Sequence, residues 1–119
     1  MTSLSKTPRR TAAVAVVVAA LVGVGAAGAA APKVVGNPAN GKKVFISTGC
    51  GVCHTLKATK AVGVLSKNLD KTKPAYAKIV SSVTNGMKGK IGIMTAYKNV
   101  LSKTQIQDVA AFVYTSTHP

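Results

Sequence analysis

The chain has no tryptophan, no glutamate and only two cysteines among its 119 residues. Each shortage excludes something. With aromatics at 4%, few of the large rings that usually dominate a small core are present. Cys50 and Cys53 are too close in sequence for a disulfide to restrain the unfolded chain much. A structural zinc site needs four ligands, and beyond Cys50, Cys53 and His54 the only other histidine is His118, beside the C-terminus. Arginine is absent after Arg10, and with aromatics so scarce this argues against a nucleic-acid interface. Carboxylates are reduced to Asp70 and Asp108. Against the thirteen lysines from Lys33 onward they leave a net charge of +11 on that part. Such a charge attracts anionic surfaces and acidic partners. A solvated lysine surface, or adaptation to an acidic medium, is the plainer reading of the same count.

The charge is unevenly placed. Lys6, Arg9 and Arg10 form a basic head, and residues 11–31 carry no charge and consist of alanine, valine, leucine, glycine and one threonine. A basic head, an apolar middle and a small-residue exit describe a secretory signal peptide, with cleavage after Ala29 or Ala30. Retention as an anchor is the alternative, because roughly 20 apolar residues span a bilayer. Either way, the remainder is expected outside the cytoplasm: periplasmic, or on the outer face of the membrane. Residues 32–36 read as a linker and 37–119 as one domain. A core of that size is marginal unless something further staples it.

The domain reads as all-α. Asn37 suits an N-cap and Pro38 the first helical position of a helix running to about Thr48 and stopping at Gly49. Gly41 and Phe45, four apart, share one face. Residues 50–74 look loop-rich, with a short turn around the cysteines. Lys73-Pro74 opens a second helix in which Tyr76, Ile79, Val80 and Val83 recur at helical spacing, and Asn85-Gly86 ends it. The stretch M-K-G-K-I-G-I-M is a glycine-punctuated loop. Ser102 and Gln105 form a capping box ahead of Ile106, Val109, Ala110 and Val113, in a helix expected to fray after Thr115. No β-alternation and no internal repeat is visible.

The stretch G-C-G-V-C-H-T-L, residues 49–56, carries the chemistry. A redox dithiol of the thioredoxin kind needs a βαβ context that the chain lacks, and a plain disulfide leaves His54 without a role. Cys-x-x-Cys-His is the attachment pattern of a c-type haem. Two thiols add across the vinyl groups, and the adjacent histidine binds iron from one face. The pattern uses all three residues and agrees with an exported chain. It also provides the missing staple, a large apolar plate around which an aromatic-poor chain can fold.

With these residues in place, residues 37–115 resemble the class I monohaem cytochromes c. Gly41-x-x-x-Phe45 resembles the family's N-terminal helix motif, Cys50, Val52, Cys53 and His54 its attachment turn, and Asn68-Leu69 the end of its Gly-Pro-Asn-Leu segment. Asp108-Val109-Ala110-Ala111-Phe112-Val113 is similar to its C-terminal helix. The resemblance implies a small cytochrome c-like fold of three to five helices around one covalent haem c. It also implies crossed terminal helices, with Gly41 against Phe112. Ser66-Lys67 departs from the usual Gly-Pro, whose proline carbonyl accepts a hydrogen bond from the haem histidine. A backbone carbonyl is available at any residue, so Lys67 is expected to take that role.

Met87 and Met94 are the candidates for the sixth iron ligand. The resemblance favours Met94, since the family's Met-Pro-x-aromatic pattern matches Met94 and Tyr97, with Thr95 in place of proline. The implied function is a one-electron carrier and not an enzyme. Its redox partners are expected to present acidic docking faces to Lys57, Lys60, Lys88, Lys90 and Lys98, and an anionic membrane surface is a second partner class. The competing readings are an open-site haem protein with peroxidase or gas-binding activity, and a basic secreted surface-binding module. No distal histidine or arginine is evident in the exported part to serve the first.

Overall fold

The two terminal helices owe their positions to their caps. In the computed structural model, which describes residues 31–90 and 92–119, helix α1 spans Pro38–Ser47. The Asn37 side chain accepts hydrogen bonds from the amides of Ala39 and Asn40, and Thr48 closes the helix. At the other end of the chain α5 spans Lys103–Thr117. Ser102 Oγ accepts from the Gln105 amide, and the Gln105 side chain accepts from the Ser102 amide, so the expected capping box is complete. The export segment expected over residues 1–31 lies outside the described residues but for Ala31. Among the described residues no helix is long and apolar enough to cross a membrane.

Helices α1 and α5 pack closely, and Gly41 is what permits it. A Cβ at Gly41 would run into the Asp108 carbonyl and stand 2.7 Å from the Cβ of Phe112. Four residues on, Phe45 meets Phe112 edge-on, with ring centroids 5.8 Å apart and planes at 67°. The expected crossing of the terminal helices, with Gly41 against Phe112, is therefore present. Val44, Phe45, Ile106, Val109, Ala110, Ala111, Phe112 and Val113 are all buried around it. Burial of apolar surface stabilises by about 25 cal/mol per Å², so this crossing is the main internal source of stability.

Between these helices run α2 (Cys50–Cys53), β1 (Thr55–Leu56), a 3-10 turn (Lys57–Thr59), β2 (Ala61–Val62) and α3 (Leu69–Thr72). They are followed by α4 (Tyr76–Asn85), β3 (Met87–Lys88) and β4 (Ile93–Met94). Strands β1 and β2 pair antiparallel, as do β3 and β4. Each ladder is two residues long, too short to leave an alternating pattern in the sequence. Helix α4 starts two residues after Pro74 and packs on α5 through Tyr76, Ile79 and Val83. Helix α5 runs to Thr117, two residues beyond the expected fraying point. The buried Thr117 hydroxyl donates to the Val113 carbonyl, and His118 stacks on Tyr114 with centroids 4.2 Å apart.

Part of the segment read as a linker is a strap on the domain. Val34 packs against the core, the Tyr76 hydroxyl donates to the Val35 carbonyl at 2.7 Å, and Gly36 presses on the backbone of Gln107 and Asp108. The buried Asp108 carboxylate accepts the Asn37 amide at 2.7 Å.

Candidate functional site

Helix α1 closes at Thr48, and Gly49, with a φ of 74°, turns the chain sharply into α2. The cysteines are therefore delivered directly from the rigid α1–α5 crossing. Cys50 and Cys53 occupy the ends of the single turn of α2, three residues apart and so on one side of it. Both are free thiols and half-buried. Burial pushes the Cys50 thiol up to about 11, Cys53 adds to the rise, and a backbone hydrogen bond opposes it.

His54 leaves the helix in an extended conformation, with φ −106° and ψ 139°. Its Nδ1 lies 2.8 Å from the Lys67 carbonyl. A carbonyl only accepts, so Nδ1 carries the proton and donates. The lone pair is left on Nε2, the tautomer a metal ligand needs. Lys67 thus provides the backbone acceptor expected of it in place of a proline.

Several contacts hold residues 57–70 against this turn. The Ser66 amide donates to the Cys53 carbonyl at 2.9 Å, and the Thr55 hydroxyl donates to the Gly63 carbonyl at 2.9 Å. Gly63 passes so close that a Cβ there would sit 2.6 Å from the carbonyl oxygens of Gly51 and Val52. Asp70 accepts the Lys57 amide at 2.9 Å, and Asn68 caps α3 by accepting the Lys71 amide. Asp70 and Gly63 are site-forming residues that the sequence alone does not single out. For Asp70 the available signal is rarity: in a chain with two carboxylates, each is worth a specific bond.

The methionines come from the β3–β4 ladder. Met94 is half-buried and packs on the core, as does Tyr97. The Tyr97 amide donates to the Val83 carbonyl at 2.8 Å, fixing the end of this segment to α4. The Tyr97 hydroxyl is pushed above its ordinary pKa, first by burial and then by the proximity of Cys50 and Cys53. Cys50, Met94 and Tyr97 all pack against the same buried core. Met87 is also half-buried, and its sulfur accepts a hydrogen bond from the Ser82 hydroxyl at 3.0 Å. Around the turn, Val52 and Leu65 show 69% and 61% of their surfaces, aliphatic surface suited to an apolar plate. The donors fit a covalent haem: two thiols on one side of a turn, an oriented imidazole, and thioethers within the adjoining segment.

The comparisons point the same way. The family model described as cytochrome c oxidase, cbb3-type, subunit III matches residues 36–113. Among solved structures, the crystal structure of the c-type cytochrome SorU from Sinorhizobium meliloti is similar, with a TM-score of 0.60 and 34% identity. That match covers 67% of this chain and 90% of that one. No curated protein matches the chain.

Proposed function

The chain belongs to the cytochrome c family, in the group described as cytochrome c oxidase, cbb3-type, subunit III, and carries a covalent haem c; from that premise we propose that it is a one-electron carrier working outside the cytoplasmic membrane. When bound, the haem supplies an iron that gains or loses a single electron. Everything else is done by the chain. Cys50 and Cys53 hold the group through two thioether bonds. His54 offers Nε2 to the iron, and Met94 offers its thioether, a ligand that favours the ferrous state. The Lys67 carbonyl fixes the imidazole plane and raises its basicity. Val52 and Leu65, apolar and exposed, would offer aliphatic surface to the group. No substrate is transformed.

The observation that carries this reading is the 2.8 Å contact between His54 Nδ1 and the Lys67 carbonyl, directly after a turn bearing two free thiols. It orients a histidine that a disulfide would leave idle. Electrons pass to and from partners with acidic docking faces, drawn by Lys57, Lys60, Lys88, Lys90 and Lys98, all of them exposed. The basic head and apolar run of residues 1–31 support export.

The test is production with haem-maturation machinery, followed by a reduced-minus-oxidised visible spectrum and denaturing electrophoresis. A c-type spectrum and haem that stays with the denatured chain are expected, and both should vanish in the Cys50→Ser/Cys53→Ser double variant. Protein lacking covalent haem would end this reading. Steady turnover of peroxide by the intact protein would move it to an enzyme.

A further inference from the structure

The β3–β4 ladder places both candidate methionines together. Its register pairs Met87 with Met94 and Lys88 with Ile93. Directly opposed residues project from the same face, with Cβ atoms about 4.5–5.5 Å apart, and adjacent residues project from opposite faces. Lys88 and Ile93 take the outer face, where Ile93 is 78% exposed. Met87 and Met94 therefore share the opposite face and are both half-buried, and all four ladder residues border one open cavity of about 430 Å³. Their environments differ. Met94 packs on the core. The Met87 sulfur is held by the Ser82 hydroxyl at 3.0 Å.

A methionine that only filled space would need no polar partner. Thioether sulfur is a weak acceptor, so the bond to Ser82 places the side chain at small cost and releases it easily. Three rotatable bonds give the side chain reach. The ladder that carries it is only two pairs long and is flanked by Gly86, Gly89 and Gly92.

We propose that Met87 is a reserve axial ligand, a second thioether parked on Ser82 that takes the iron position when Met94 is lost. The proposal rests on reading Met94 as the resident ligand. It turns the presence of two methionines from a choice between them into a division of roles.

Four holoprotein variants test it: Met87→Leu, Met94→Ala, the volume-keeping Met94→Leu, and Met87→Leu/Met94→Ala. The readouts are the thioether-to-iron absorption band and spin state of the oxidised form. In the reduced form, the readout is the strongly displaced resonance of an iron-bound methionine methyl in methyl-labelled protein. Met87→Leu should keep the band and one displaced methyl. Met94→Ala and Met94→Leu should also stay low-spin with a band and a displaced methyl, now that of Met87. The double variant should lose both and become high-spin. If both Met94 variants already lose the band while Met87→Leu keeps it, the reserve role is overturned and Met94 stands as sole ligand. Loss of the band in Met87→Leu would overturn both assignments. A Met94→Ala protein that stays low-spin without the thioether band would show a different ligand, and would also overturn the reserve role.

Discussion

Lys67 shows how much a single position can change without altering what the site receives from it. The bond to His54 comes from the main chain, at 2.8 Å, and the exposed lysine side chain takes no part in it. Lys67→Ala is therefore expected to leave the His54 orientation intact. The reduction potential should move by less than about 60 mV, the one-electron equivalent of a tenfold change. Potentiometric titration of the haem checks this, and a larger shift would mean that the lysine charge, not the carbonyl, sets the potential. Cys50, Cys53 and His54 were legible in the sequence because their chemistry depends on immediate adjacency. The roles of Asp70 and Gly63 were not. Each is defined by a partner more than ten residues away, Lys57 for the carboxylate and Gly51 for the glycine.

Among the elements, legibility followed the caps. Asn37 with Pro38, and Ser102 with Gln105, marked α1 and α5 because capping is a local bargain between a side chain and amides two or three residues on. The segments between them were harder to read. Two-residue ladders have no period to detect, and the chain bends at Lys60 and Lys73 in the left-handed region, with φ of 56° and 41°. Nothing in a lysine announces that conformation. The end of α5 was missed for a similar reason, since the Thr117 hydroxyl and the Tyr114–His118 stack secure the last turn through side chains. The energetic weight of these features can be ranked. Gly41→Ala forces the α1–α5 crossing apart against backbone, so a loss of about 3 kcal/mol, the upper part of the usual overpacking range, is expected. Ser102→Ala removes one cap and should cost about 1 kcal/mol. Denaturant unfolding of the two holoproteins measures both. Equal losses would mean that the crossing can relax around a methyl group.

At the scale of the whole molecule the charge dominates. The lysines are spread along the chain, including Lys42 and Lys43 on α1, Lys71 on α3, Lys78 on α4 and Lys103 on α5. Both carboxylates are taken up by backbone amides, Asp108 by Asn37 and Asp70 by Lys57. A strongly positive field of this kind, +14 over the full chain and +11 from Lys33 onward, accelerates encounter with any anionic partner but does little to orient it. Orientation has to come from the residues around the attachment turn. Two measurements separate attraction from orientation. Raising salt from about 0.01 M to 0.1 M shortens the screening length from about 30 Å to about 10 Å. The second-order rate of electron transfer to an acidic protein partner should fall over that range, and the rate with a small neutral reductant should stay flat. Charge reversal then maps direction. A triple Lys→Glu change at Lys60, Lys88 and Lys90 should slow transfer to the protein partner more than the same change at Lys42, Lys43 and Lys103. The two triples remove the same charge, so the general field is weakened equally in both. Equal slowing would mean that Lys60, Lys88 and Lys90 attract without steering. A rate with the acidic partner that ignores salt would remove electrostatic attraction altogether.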